Sequence, residues 1–330
     1  MARGISLEVH GLRRIKSLAA VCLLTGLILT GCGGQTQITY DGSRLESMTA
    51  DLSEHAQADS FAKNLCVVTG TENEADASVT AEAAAVFGVD TKDVVFQKNP
   101  FERLYPASIT KIMTALIAIR DGDLNDTVTV GPEAVITETG ASLAHINPGD
   151  TLTMEQLLYG LMLPSGNDAG AAIAVHMAGS TEAFAEKMNE TAHALGATDT
   201  HFVNPHGLSD ENHYTTAYDL YLIFQEAMKY EEFRKIVGTV SYRAEYTDAA
   251  GQTKTQEWKN SNQYLNGKSK APDGITVLGG KTGTTRAAGS CLILGCEDEN
   301  SNEYVSVVLK AQSRDVLYEN MTNIIGKIVN

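Results

Sequence analysis

The sequence has little basic charge and few long apolar runs. Its 330 residues carry 25 lysines and arginines against 41 aspartates and glutamates, which gives a net charge of −16. So acidic a chain argues against nucleic acid as a partner and against electrostatic adhesion to anionic lipid. Beyond the first thirty residues, no apolar run reaches the roughly 18 residues that a membrane-spanning helix needs.

Cysteine is also scarce, and the spacing of its five positions argues against a disulfide between Cys291 and Cys296 and against a cysteine metal site. Cys66, Cys291 and Cys296 remain once the N-terminal segment is set aside. Positions 291 and 296 differ by five, so on one strand their side chains point to opposite faces and cannot pair. The cysteines do not have the spacing of metal ligands. We predict three buried, unpaired thiols, with neither a metal nor a cofactor.

The N-terminal segment contains an apolar run from Leu18 to Thr30, and three basic residues precede it. The run is too short for a stable spanning helix, and the layout is typical of a signal peptide. Twin-arginine export through Arg13-Arg14 is a minor alternative.

The apolar run ends in Leu29-Thr30-Gly31-Cys32, which is similar to a bacterial lipobox, in which the cysteine receives lipid. Residues 1–31 are therefore predicted to be a lipoprotein signal peptide, and Cys32 the lipidation site, at the extracytoplasmic face of a bacterial membrane. Removing this peptide takes away four basic residues and one acidic residue, so the mature protein is still more negatively charged. Acyl chains rather than charge would therefore attach it to the membrane. A plain signal peptide with a cysteine nearby by chance is the alternative.

The remaining chain divides by its pattern. Residues 32–60 are predicted to be a linker with a possible short helix, and residues 61–330 one folded domain. Apolar residues recur at three and four positions from Ala107 to about residue 238, which predicts an inserted helical lobe. The predicted fold class is α/β of the α+β type, an antiparallel sheet covered by helices plus a mostly helical lobe, with a groove between them.

The strands that we predict are Leu65–Thr69, Ala83–Val89, Val94–Gln97, Val240–Tyr246, Gln256–Trp258, Val277–Lys281, Ser290–Gly295 and Tyr304–Lys310. The helices that we predict begin at Ala107 and continue with Met154–Leu163, Ala169–Ala178, Thr181–Leu195, Ala217–Lys229 and Val316–Val329.

Ser108 and Lys111 form a Ser-x-x-Lys motif at the start of the first helix. A serine hydroxyl needs an adjacent base to act as a nucleophile, and three residues are close to one helical turn, so the lysine amine can reach it. Burial and a second cation nearby would keep that amine neutral part of the time. The motif alone is weak, because Ser60-Phe61-Ala62-Lys63 has the same spacing.

Two further motifs accompany it. Ser165-Gly166-Asn167 lies in a turn between helical patterns, where Ser and Asn alone would favour helix capping. Lys281-Thr282-Gly283-Thr284 follows an apolar strand, where glycine lets another chain approach closely. Each motif alone is unspecific.

Together and in this order, the motifs resemble those of penicillin-recognising serine enzymes. From about Asn64 to the C-terminus, the chain resembles low-molecular-mass penicillin-binding proteins of the D-alanyl-D-alanine carboxypeptidase type. The middle motif, Ser-Gly-Asn, is typical of that group. The resemblance implies a penicillin-binding protein/β-lactamase-like transpeptidase fold and a serine carboxypeptidase acting on peptidoglycan stem peptides that end in D-Ala-D-Ala. It also implies inhibition by β-lactams.

The same resemblance assigns catalytic roles. Ser108 would attack the carbonyl of the penultimate D-alanine, and Lys111 would take its proton. The backbone N–H groups of Ser108 and Thr284 would form the oxyanion hole. Ser165 would relay a proton to the leaving amine.

The resemblance also assigns substrate-binding roles. Asn167 would orient the peptide amide, and Lys281 would supply positive potential near the terminal carboxylate. Thr282, Gly283 and Thr284 lie on the strand that would bind the substrate, and the two threonines could hydrogen-bond its carboxylate. Arg314 matches an arginine that helps hold that carboxylate, although an exposed arginine at a helix start is the equal alternative.

Several alternatives stay open. A β-lactamase, a transpeptidase or an endopeptidase would use the same residues, and a non-catalytic cell-wall-binding lipoprotein would keep the fold. We find no Glu-x-x-Leu-Asn loop of the class A β-lactamase kind between Asn167 and Lys281. His206 is expected to fix a loop rather than to act in catalysis. Many members of the group carry a C-terminal β-rich domain, and we expect the lipid at Cys32 to replace its membrane helix.

Overall fold

The computed structural model describes residues 65–68 and 76–329, which lie within the unit Ser60–Asn330. The predicted signal peptide, the linker, Cys32 and the second Ser-x-x-Lys copy lie outside the described residues, and the domain boundaries stay predictions. In the described part of the chain, no helix is long and apolar enough to cross a bilayer.

The strands within the described ranges are β1 (Ala83–Gly88), β2 (Val94–Lys98), β3 (Thr127–Thr129), β4 (Thr151–Thr153), β5 (Ser241–Thr247), β6 (Thr253–Lys259), β7 (Thr276–Thr285), β8 (Gly289–Glu297) and β9 (Glu303–Ala311). A 3₁₀ turn, Ala107–Thr110, leads into the first of the helices, which are α1 (Lys111–Asp121), α2 (Met154–Met162), α3 (Asn167–Ala178), α4 (Thr181–Ala194), α5 (Ala217–Ala227), α6 (Glu231–Gly238) and α7 (Arg314–Gly326).

Five strands form the main antiparallel sheet, in the order β2-β1-β9-β8-β7. Residues 290–296 of β8 are all buried, because helices cover both faces of the sheet. On one face, α7 packs Met321 and Ile324 into a cluster with Leu294. On the other face lies α5, whose Tyr221 ring stacks on Phe87 with 4.6 Å between centroids. β7 is left at one edge of the sheet.

The second lobe surrounds α1. A small sheet of order β3-β4-β5-β6 lies here, and α1 contacts each of the helices α2 to α6. Residues 111–118 are all buried, as expected of a helix packed on every side. Because the first of these residues is Lys111, the fold encloses an amine at the end of its central helix.

The two lobes meet where β7 passes the 3₁₀ turn. A Cβ atom on Gly283 would lie 2.9 Å from the carbonyl oxygen of Pro106 and 3.0 Å from the backbone nitrogen of Ser108. Real Cβ contacts are essentially never under 3.0 Å, so only glycine allows the strand to approach the 3₁₀ turn this closely.

The predicted antiparallel sheet with covering helices and a helix-rich lobe is confirmed, and the three free cysteines are buried. The strand predicted at Leu65 is wrong over residues 65–68, which are irregular. Side chains take the place of a neighbouring strand there: the N–H of Cys66 donates to the Tyr221 hydroxyl, and its carbonyl accepts from Tyr218. The pattern also missed α6, β3 and β4, and the two strands are only three residues each.

Candidate active site

Ser108 lies in the 3₁₀ turn, half-buried, after Ala107 in the left-handed region with φ +49°. Such a conformation costs a non-glycine residue of the order of 1 kcal/mol or more and persists only where the surroundings hold it. Gly207 belongs to those surroundings, since a Cβ atom there would overlap the carbonyl of Ala107.

A chain of hydrogen bonds braces this turn. The Thr110 hydroxyl donates to the carbonyl of Ala107 at 2.8 Å and lies 2.8 Å from Nε2 of His213. Nδ1 of His213 accepts the N–H of Val203, so Nε2 carries the proton and donates to Thr110. Burial lowers the pKa of His213 to about 4, which keeps the ring neutral. The sequence analysis did not single out Thr110 or His213.

Lys111 is fully buried, and its amine has three oxygen neighbours. Nζ lies 2.6 Å from Oδ1 of Asn167, 2.6 Å from the carbonyl oxygen of His206 and 3.0 Å from Oγ of Ser108. Burial, and then the charge of Lys281, hold the pKa of Lys111 well below its ordinary value. A neutral amine has two N–H bonds, and the two carbonyl oxygens can only accept. Its lone pair is therefore left for the hydroxyl of Ser108.

Ser165 and Lys281 form the opposite pair. Nζ of Lys281 donates to Oγ of Ser165 at 3.0 Å and to the carbonyl of Thr282 at 2.8 Å. Burial lowers the pKa of Lys281 to about 7, and the charge of Arg314 adds to the effect. Ser165 has φ +68°, in the turn between α2 and α3. This pair puts a titratable amine next to a hydroxyl on the far wall of the groove.

Asn167 begins α3, and its backbone N–H and side-chain oxygen both have hydrogen-bond partners. Its backbone N–H donates to the carbonyl of Ser142, and its Oδ1 accepts from Lys111. No hydrogen bond from its Nδ2 atom to another described residue is present. The NH₂ end is the part of this side chain left for a bound peptide.

Asp168 is a site residue that the sequence analysis missed. Its buried carboxylate accepts the N–H groups of Ala144, Ile146 and Ala169 at 2.8–3.2 Å. Burial raises its pKa, although these hydrogen bonds oppose the rise. The carboxylate ties residues 142–146 to the start of α3, and so fixes the carbonyl that holds Asn167. Its place directly after Ser-Gly-Asn was the available signal.

The remaining predicted residues lie on β7 and at the start of α7. Thr282 and Gly283 are buried, whereas Thr284 is exposed at the edge of the strand. The Thr282 hydroxyl lies 2.6 Å from Oγ of Ser261. Arg314 is exposed, and it is near enough for its charge to lower the pKa of Lys281. The structure thus gathers all three motifs at one site.

His206 contributes its backbone rather than its ring. The carbonyl accepts from Lys111, and Nδ1 of the ring accepts the N–H of Leu208 at 3.4 Å. Burial, and then the charge of Lys111, lower the pKa of the imidazole to about 3. No hydrogen bond joins this ring to Ser108, and a loop-fixing role remains our interpretation.

The fold and the groove define a class, the penicillin-recognising serine enzymes. Among solved structures, the chain is similar to the Streptomyces K15 DD-transpeptidase, with a TM-score of 0.70 and 31% identity over 78% of this chain and 98% of that one. It is also similar to the D-alanyl-D-alanine carboxypeptidase DacD of Francisella tularensis, with a TM-score of 0.67 and 25% identity, covering 80% of this chain and 74% of that one.

The family follows from the sequence match. The profile of the peptidase S11 D-alanyl-D-alanine carboxypeptidases matches residues 69–313, and the chain belongs to this family. It is 35% identical over 237 residues to the D-alanyl-D-alanine carboxypeptidase DacF of Bacillus subtilis, which covers 71% of this chain and 58% of that relative. It is also 35% identical over 214 residues to a D-alanyl-D-alanine carboxypeptidase of Streptomyces sp. K15, covering 62% and 72%. The chain thus spans little more than half the length of DacF.

Proposed function

We propose that this chain is a serine D-alanyl-D-alanine carboxypeptidase, which removes the terminal D-alanine from peptidoglycan stem peptides through an acyl-enzyme on Ser108. The observation that carries the proposal is the environment of Lys111. A buried amine whose two N–H bonds are taken by carbonyl oxygens presents its lone pair to a half-buried serine, which is the arrangement a nucleophile and its base require. Family membership supports the substrate.

Acylation begins at this pair. Lys111 takes the proton of Ser108 while Oγ bonds to the carbonyl carbon of the penultimate D-alanine. The backbone N–H groups of Ser108 and Thr284 would stabilise the oxyanion, a contribution of about 3–4 kcal/mol where one such donor has been removed from other enzymes. The closeness of Gly283 to the backbone nitrogen of Ser108 supports this pairing of turn and strand.

The leaving group departs on the other wall. As the C–N bond breaks, Ser165 gives its proton to the amine of D-alanine and regains one from Lys281, which is 3.0 Å away. Lys281, Thr282, Thr284 and Arg314 hold the terminal carboxylate, and Asn167 orients the peptide amide with its NH₂ group. The proton that Lys111 took then passes through solvent to Lys281, which leaves Lys111 neutral again. Water attacks the ester carbonyl while Lys111 takes its proton, and Lys111 returns that proton to Oγ of Ser108 as the C–O bond breaks and the shortened peptide leaves. β-Lactams acylate Ser108 because they imitate the D-Ala-D-Ala end.

Mass spectrometry of the full-length protein with penicillin, followed by peptide mapping, tests this proposal. We expect a stable adduct on Ser108, together with D-alanine release from a D-Ala-D-Ala peptide, and neither in Ser108→Ala. Rapid turnover of the adduct would indicate a β-lactamase instead. A protein that binds stem peptide without an adduct or D-alanine release would be a non-catalytic cell-wall-binding lipoprotein.

We propose in addition that Cys32 carries the lipid that holds the enzyme at the outer face of the bacterial membrane. The lipobox-like residues 29–32 support this proposal. Replacing Cys32 with alanine should move the protein from the membrane fraction to the soluble fraction while its labelling by penicillin persists. A Cys32→Ala protein that stays in the membrane fraction would overturn the anchor without affecting the proposed activity.

A further inference from the structure

A cavity of about 520 Å³ opens beside Thr282, between β5, β6, the segment 260–268 and the start of α7. Its wall includes Glu257, Lys259, Ser261, Lys268 and Arg314. The reaction proposed above for release of D-alanine does not use most of these residues.

The position of the cavity follows from its contacts with the groove. Ser261, in its wall, lies 2.6 Å from the hydroxyl of Thr282, and Arg314, also in its wall, acts on the pKa of Lys281. Lys281 donates to Ser165, the residue proposed to protonate the leaving amine. The nucleophile lies further along the strand, at Gly283. The cavity therefore continues the groove on the side of the leaving group.

The size of the cavity does not match a D-alanine leaving group. A stem peptide that ends in D-Ala-D-Ala has only a methyl group and the terminal carboxylate beyond the scissile bond. About 520 Å³ is many times the roughly 30 Å³ that one water occupies, and is in the range of small-molecule binding sites. A leaving group with a longer side chain would fill it.

The charge of the cavity indicates what that side chain carries. Nζ of Lys259 is 3.8 Å from the carboxylate of Glu257, so the negative charge of Glu257 offsets the positive charge of Lys259. Lys268 makes no ion pair with another described residue, whereas Lys270, which lies outside the wall, pairs with Asp273 at 2.8 Å. A positive wall on a chain of net charge −16 favours an anionic group.

We propose that this cavity is a leaving-group subsite for an anionic side chain, so that the enzyme cleaves D-alanyl bonds to D-amino acids with an acidic side chain as well as to D-alanine. This inference rests on the proposed function. The chemistry is unchanged: the C–N bond breaks, the larger amine takes the proton from Ser165, and water completes the hydrolysis. The α-carboxylate of the leaving residue stays at Lys281 and Arg314, and its side chain extends towards Lys268.

Three peptides that differ only in the leaving residue test the proposal with the full-length protein. They are diacetylated lysyl-D-alanyl peptides that end in D-alanine, D-glutamate or D-glutamine. We expect kcat/KM to be about fivefold higher for D-glutamate than for its neutral isostere D-glutamine. Lys268→Ala should remove most of this preference, and Lys270→Ala, a matched exposed lysine two residues away, should keep it. Equal acylation by penicillin in both variants would show that the nucleophile site is intact.

The outcomes separate the two proposals. No D-alanine release from the D-alanine peptide would overturn the proposed function itself. D-alanine release without a preference for D-glutamate over D-glutamine would leave that function standing and overturn the subsite. A preference that survives Lys268→Ala unchanged would also overturn it, because the selectivity would then arise elsewhere.

Discussion

Lys111 and Lys281 are buried to the same extent, yet their surroundings differ. Lys111, at the start of the central helix, has two carbonyl oxygens and one hydroxyl around Nζ. Lys281, on the edge strand, has one carbonyl and one hydroxyl, and its pKa is about 7, whereas that of Lys111 is held well below its ordinary value by burial and by the charge of Lys281. Two cations enclosed together cannot both keep their protons at low cost. The comparison supports the proposal that Lys111 is the base and that Lys281 supplies the charge.

Removing the two amines in turn is the strongest test of this comparison. Lys111→Ala should lower kcat/KM and the rate of penicillin acylation about 10³-fold or more, because the general base is lost. Lys281→Ala should have a smaller effect on acylation and a larger effect on KM, since it removes charge near the substrate carboxylate. Lys270→Ala, on the surface, serves as control. Similar losses of acylation in both variants would contradict the division of roles.

A smaller change tests how closely β7 must approach the 3₁₀ turn that carries Ser108. Gly283→Ala places a methyl group at 2.9–3.0 Å from the backbone of Pro106 and Ser108, so the strand and the nucleophile turn must separate. We expect acylation to fall about 10²-fold, because misplacement of this order disrupts attack geometry. Gly326→Ala is the matched control, since its new methyl would meet its nearest neighbour at an ordinary 3.6 Å. A Gly283→Ala protein acylated at the normal rate would show that the strand is not positioned by this contact.

The pH profile of kcat/KM tests the role of the Lys281 charge without a mutation. The pKa of Lys281 is lowered to about 7, so its charge is present below that pH and is lost as the pH rises through it. If the charge attracts the terminal carboxylate, kcat/KM should fall by up to about tenfold per pH unit above 7, until the contribution of Arg314 remains. A substrate whose terminal carboxylate is replaced by an amide should show a smaller fall, because only the supply of a proton to Ser165 is then lost. An equally large fall with both substrates would show that the charge of Lys281 does not attract the carboxylate.

The smallest expected effect concerns the hydrogen bonds that join Thr110 to Ala107 and His213. Thr110→Val keeps the shape of the side chain but leaves Nε2–H of His213 without its acceptor and Ala107 without its donor. We expect a loss of about 1–3 kcal/mol in the free energy of unfolding, measured by denaturant titration. Thr181→Val, on the outer helix α4, is the control. If Thr110→Val and its control are equally stable, the hydrogen-bond chain does not hold the strained turn.

Much of this molecule follows from local pattern. The apolar period predicted α1 to α5 and α7, and alternation and apolar runs predicted the long strands, because burial of one face or stripe imposes those periods. The pattern failed at residues 65–68, where tyrosine hydroxyls replace a strand partner, and at β3 and β4, which are too short to show a period. The motifs predicted which side chains would meet, since their order and spacing resemble those of a known family.

By itself, the sequence indicated the family, the three motifs and the proposed nucleophile and base, because the order of the motifs resembles that of a known family and one helical turn separates Ser108 from Lys111. Only the tertiary structure decided how far the pKa of each lysine is lowered, because the burial of both amines and the charges near them come from distant segments of the chain. The same is true of Asp168, His213 and the cavity beside Thr282. Their roles arise from contacts between residues far apart in the chain, which no local pattern records.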